Sequence, residues 1–82
     1  MKIYKLMIES WGETLSEYLY VNKDNAINEG KKRVMKDNNI PEEDVEVRDM
    51  TYDYYIVNKR CPSIIDVKVE VVETVDESTV NE

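Results

Sequence analysis

Residues 49–55 read Asp49-Met50-Thr51-Tyr52-Asp53-Tyr54-Tyr55, setting carboxylates among tyrosines. Tyrosine brings a large contact area with little side-chain entropy to lose, so the run suits protein recognition, and Asp49 and Asp53 would give that surface a negative sign. The same spacing also suits a strand in which Tyr52 and Tyr54 pack under a helix while the aspartates stay in water. Both readings stand on sequence alone. Trp11, beside Gly12, is a second candidate anchor; its alternative is a lid over one end of the core.

Other chemistries find less support. The chain has no histidine, so general acid–base work would fall to carboxylates, lysine, tyrosine or the single cysteine. Each would need a strongly shifted pKa in a cleft that a very small domain hardly has room to build. No catalytic residue and no cofactor are expected. Cys61 lies between Arg60 and Pro62 with Lys59 close by; the cations would favour a thiolate, but with no base and no resolving cysteine an incidental loop thiol is the simpler reading. Glu42, Glu43, Asp44 and Glu46 concentrate hard oxygen ligands, yet the spacing lacks the glycine of a calcium loop. They read as a solvated acidic connection, and no metal site is expected. Lys31, Lys32, Arg33 and Lys36 form a basic stripe that could line phosphate, and solvated helix surface is the plainer reading.

The 82 residues carry eleven bases and eighteen acids, a net charge of -7. The surplus is uneven. From Pro41 onward twelve acids face only Arg48, Lys59, Arg60 and Lys68, whereas residues 23–40 have five bases against three acids. A field of this sign repels nucleic acid and favours basic partners, so direct DNA binding is not expected. A lone cysteine gives no intramolecular disulfide, and no apolar run reaches the length of a membrane span or a signal-peptide core. A cytoplasmic, non-membrane protein is therefore expected.

The elements that must position these residues can be read from periodicity. Tyr4, Leu6 and Ile8 alternate with Lys5 and Glu9, giving a strand over residues 2–10. Gly12 supplies a tight turn, and residues 14–21 form the antiparallel partner, with Leu15, Leu19 and Val21 on one face. Asn22 or Asp24 caps a helix over residues 23–38, where Ala26, Ile27, Gly30 and Val34 recur at helical steps and the small residues bring its axis close to the sheet. A third strand runs over residues 44–50. Residues 51–57 either extend it or stand as a separate strand. Ile65, Val67, Val69 and Val71 then alternate with charges, the pattern of a sheet with one covered face. The expectation is a single small α+β domain over residues 1–75, of ββαββ order, with a four-stranded and largely antiparallel sheet carrying one helix on one face. Residues 76–82 read as a flexible acidic tail.

Residues 14–35, a short strand followed by Val21-Asn22-Lys23-Asp24-Asn25-Ala26-Ile27, resemble the strand-to-helix passage of small mobile-element domains of the DpnD/PcfM-like family. The resemblance implies a ββα unit and carries no functional motif. At the level of class, the small size, acidity and lack of catalytic groups are similar to phage-encoded inhibitors of host defence, including anti-CRISPR proteins. That resemblance implies a non-enzymatic acidic module that occupies a basic site on a nucleic-acid-handling protein such as a CRISPR nuclease, in the host cytoplasm. On this reading Asp49, Asp53, Glu42, Glu43, Asp44 and Glu46 imitate phosphates, while Trp11, Tyr52, Tyr54 or Tyr55 supply apolar anchoring. The alternative is a structural or regulatory domain that homodimerises through its sheet, with the strand at 65–71 as the unpaired edge.

Overall fold

The computed structural model describes residues 2–61, 63–72 and 80–81. Strand β1 (Ile3–Ser10) turns into β2 (Glu13–Tyr20) through Trp11 and Gly12, whose φ values of 53° and 80° give the doubly left-handed turn that matches strand twist. Helix α1 (Lys23–Asn38) follows. The Asn22 side chain accepts a hydrogen bond from the Asn25 backbone N–H at 3.2 Å, and the helix ends on Asn39, in the left-handed conformation, whose N–H returns to the Met35 carbonyl. A 3₁₀ turn (Glu42–Asp44) leads into β3 (Val45–Asp49), β4 (Asp53–Asn58) and β5 (Ile65–Val72), and Val80–Asn81 forms a short β6.

The strands lie in the order β3-β4-β5-β1-β2-β6. The first five are antiparallel throughout, and β6 adds two parallel residues beside Leu19 and Tyr20. Helix α1 packs across one face, making the single-domain α+β architecture expected. Alternation puts Tyr4, Leu6, Ile8, Val45, Val47, Tyr54, Ile56, Val67 and Val69 beneath it, meeting Ala26 and Val34. Gly30 faces this layer so closely that a Cβ there would collide with Ile56 Cδ1 and lie 3.2 Å from Leu6 Cδ1 and 3.3 Å from Val67 Cγ1. The small residues of the helix therefore do bring its axis down onto the sheet.

Three strand assignments change in three dimensions. Residues 51–57 do not extend β3; Met50 N–H donates to the Asp53 carbonyl at 2.8 Å, the chain reverses, and Asp53–Asn58 is an independent strand. The order is ββαβββ, followed by the two-residue β6, in place of ββαββ. In β2 it is Tyr20 that packs against the core, whereas Leu15 is exposed: the register slips between Ile8 and Glu9, leaving Leu15 as the extra residue of a bulge. The strand at 65–71 is not an edge, since β1 and β4 pair with it on either side. Of the tail expected over 76–82, Val80–Asn81 pairs with β2, whose outer hydrogen-bonding groups would otherwise face water, and the remainder lies outside the described residues.

Candidate protein-binding surface

The ten residues singled out by sequence do not form one site. Asp49, Tyr52 and Asp53 gather at the tip of the β3–β4 hairpin. Glu42, Glu43 and Asp44 sit at the other end of β3, and Trp11 shares that end of the sheet, three strands away on the β1–β2 turn. Ser10 pairs with Ile65, so Trp11 and Ile64, 86% and 68% exposed, both lie at this end of the sheet, apart from the acidic tip. Trp11 is no lid over the core.

The tyrosines divide by strand parity. Tyr54 points beneath the helix, packs against the core cluster and carries Lys23 Nζ 5.0 Å from its ring centroid, a cation–π contact. Tyr55 points to the face opposite the helix, between Arg48 on β3 and Lys68 on β5. Tyr52 lies in the turn at 78% exposure, not under the helix, because the chain reversal takes it out of the strand. Its carbonyl still accepts from Val71 N–H at 3.3 Å, which fastens the tip to β5.

Charge at the tip is unbalanced. Asp53 on β4 stands directly opposite Glu70 on β5, and Asp49 opposite Tyr54. Among the described residues none of Asp49, Asp53 and Glu70 has an ion-pair partner within 4 Å. The nearby Met50 is 54% exposed. Parity puts Asp53 and Glu70 together on the face opposite the helix and Asp49 on the helix side, with the exposed Tyr52 and Met50 in the turn between them, a turn held by backbone hydrogen bonds. Glu70 and Met50 were not singled out by sequence; Glu70 looks like any solvent-side residue of an alternating strand until the β4–β5 register puts it beside Asp53.

The remaining acids are engaged or scattered. Asp44 pairs with Arg60 at 3.0 Å, Glu46 with Arg48 at 3.2 Å, and the Glu43 carbonyl accepts from Lys59 Nζ at 3.1 Å. Among the described residues no three His, Cys, Asp or Glu side chains converge as metal ligands would. The exposed Cys61 borders a cavity of about 320 Å³ where β4 and β5 part beyond the Ile56–Val67 pair. The cations on its flank are the ones tied to Asp44 and Glu43.

The face opposite the helix carries rows across the strands, and its apolar side chains Ile3 and Met7 are buried. One runs Asp53, Glu70, Lys5; the next runs Arg48, Tyr55, Lys68, Met7, Glu17. Lys68 donates to Glu9 at 3.1 Å, and this hydrogen bond raises the Lys68 pKa above its ordinary value. On the helix side a groove of about 350 Å³ opens between α1 and β2, floored by Leu6, Ile8, Tyr18 and Tyr20 and rimmed by Lys32, Arg33 and Lys36. Burial, followed by the charge of Glu29, raises the Tyr20 hydroxyl pKa above the usual tyrosine value. Lys32 pairs with Glu29 at 3.1 Å and Arg33 with Asp37 at 2.7 Å, so the basic stripe is half neutralised by its own helix.

No helix among the described residues is long and apolar enough to cross a membrane. Comparison with protein-family models, curated proteins and solved structures finds no match to this chain.

Proposed function

We propose that the protein is a non-enzymatic binding module that presents the β3–β4 tip to a basic site on a nucleic-acid-handling protein, acting as an inhibitor of the phage type directed at a defence nuclease. The observation that carries this reading is the pairing of Asp53 with Glu70, neither with an ion-pair partner among the described residues, beside a turn that exposes Tyr52 and Met50 and carries Asp49 on its other face. Carboxylates on a fixed turn imitate successive phosphates electrostatically, and the tyrosine adds buried area and a hydroxyl at the centre of the contact. The turn is already ordered, so little conformational entropy is lost on docking.

The expected partner surface is a channel lined by lysine and arginine, and occupation of that channel excludes nucleic acid. Binding should be strongest at low salt and weaken steeply as ionic strength rises. The test is capture from host lysate on the immobilised protein at low and high salt, with the D49K/D53K variant in parallel, followed by a nucleic-acid displacement assay on the captured partner. A basic protein held by the native chain, released by salt, absent from the variant and displaced from its nucleic acid supports the reading. Tight capture by D49K/D53K, or a partner whose nucleic acid is undisturbed, overturns it.

A further inference from the structure

Strand β3 is the outer strand of the sheet, and no described element pairs with its free side. Lys59 N–H donates to the Asp44 carbonyl at 2.9 Å and Met50 N–H to the Asp53 carbonyl at 2.8 Å, so the even-numbered peptide groups of this segment point inward to β4. Those of Val45, Val47 and Asp49 consequently point outward, offering a row of donors and acceptors. Between them, Glu46 and Arg48 project from the face opposite the helix, Arg48 exposed and Glu46 half-buried, 3.2 Å apart.

We infer that this edge is built to pair with a second copy of itself, antiparallel about Val47. Only a residue whose peptide groups point outward can sit on such a two-fold axis as a hydrogen-bonded pair, and Val47 does. The axis sets Val47 against Val47 of the second copy and Val45 against Asp49. It also sets each Glu46 against the other copy's Arg48, on one face and in a closely spaced cross-strand pair. The charge pattern Glu-Val-Arg is therefore self-complementary in the antiparallel sense, whereas a parallel pairing in register would face like against like. Charges on an edge strand normally discourage indiscriminate pairing; here the same two charges admit one partner and one register.

Five residues on each side make a small contact, and the net charge of -7 on each copy opposes association. The dimer is therefore of the weak, concentration-dependent class. It places the edge on β3, not on the centrally paired β5, and it stands apart from the acidic tip, since no second protein species is needed to observe it.

The experiment is sedimentation of the purified chain over a wide concentration range at fixed ionic strength, with E46R, R48E and V47P as variants. The native chain should move from the monomer mass toward twice that mass as concentration rises. E46R alone carries two cations on that face and R48E alone two carboxylates, so each should remain monomeric, while an equimolar mixture of the two should associate again. V47P removes an outward donor and leaves the β3–β4 bonds intact, so it too should stay monomeric with an unchanged circular dichroism spectrum. A native chain that is monomeric throughout overturns the inference. So does a dimer that E46R and V47P leave untouched, or single variants that do not associate on mixing although both are folded.

Discussion

Asp53 of β4 faces Glu70 of β5 as a direct cross-strand pair, two carboxylates with no basic side chain among the described residues within ion-pairing distance of either. Like charges so placed oppose sheet formation, by about 0.2–1 kcal/mol in comparable pairs. Asp53→Lys converts the repulsion into attraction and should raise the unfolding free energy by about 0.5 kcal/mol in urea titration. The same change should weaken capture of a basic partner. A variant that is more stable and binds less separates loss of recognition from loss of folding; one that is less stable would mean that the Asp53–Glu70 pair is not a repulsive contact.

Gly30 is held beneath its helix by side chains from three strands, with Ile56 Cδ1 the first atom an added methyl would meet. Alanine gains about 1 kcal/mol in helix propensity, against about 1–3 kcal/mol for forcing a methyl into a packed core. Gly30→Ala should therefore destabilise the protein by about 1 kcal/mol. Ile56→Val removes the colliding methyl. In the G30A background it should cost less than in the native chain, and a double-mutant cycle in urea measures that coupling; strict additivity would show that the crowding lies elsewhere.

Trp11 occupies a left-handed position with φ 53° and stays 86% exposed, so its indole gains almost nothing from the fold. Asparagine adopts that conformation more readily, and Asn-Gly is the favoured pair for this turn. Trp11→Asn should raise the thermal midpoint, corresponding to about 0.5–1 kcal/mol. Because Trp11 lies at the end of the sheet away from the acidic tip, the change should leave capture of a basic partner intact. Loss of capture would place the indole in the contact after all.

Two groups on opposite faces titrate above their ordinary values. Lys68 is raised by its hydrogen bond to Glu9, and Tyr20 is raised by burial and then by the charge of Glu29. A raised pKa in the folded state means that the proton is held more tightly there than in the unfolded chain. The resulting stability is complete below the ordinary values, about 10 for tyrosine and about 10.4 for lysine, and is lost as pH rises through the raised folded values. Urea titrations from about pH 8 to about pH 11 should show a falling alkaline arm, shallower in Tyr20→Phe and in Lys68→Met. An arm of native slope in both variants would assign it to other groups.

Much of the secondary structure was legible because each element declares its period locally. Tyr4, Leu6 and Ile8 on a two-residue step, Ala26, Gly30 and Val34 on a helical step, and Asn22 at the cap predicted β1 and α1 to within a residue of where they lie. The inner face of β2 is decided by pairing: Leu19 stands opposite Lys5 while Tyr18 and Tyr20 stand opposite Leu6 and Tyr4, so the tyrosines face the helix, and Leu15 is the extra residue of a bulge. The Tyr-rich segment was ambiguous for a different reason. Tyr52, Tyr54 and Tyr55 are equally good strand residues, and only the reversal at residues 50–52 decides that one is in water, one under the helix and one on the face opposite the helix.

The sequence by itself determined the composition of the surface: a net charge of -7 concentrated after Pro41, no histidine, and carboxylates interleaved with tyrosines. These are properties of the covalent chain and survive any arrangement of it. Which carboxylates stand together was decided only by tertiary structure, because strand order and register are long-range choices that alternation along one strand does not encode. That pairing put Glu70 beside Asp53, carried Glu42, Glu43 and Trp11 to the far end, engaged Asp44 and Glu46 with arginines, and moved the free edge from β5 to β3. A stretch that reads as one acidic run thus becomes a small unbalanced tip at one end of a hairpin and a charge-balanced, self-complementary edge along its side.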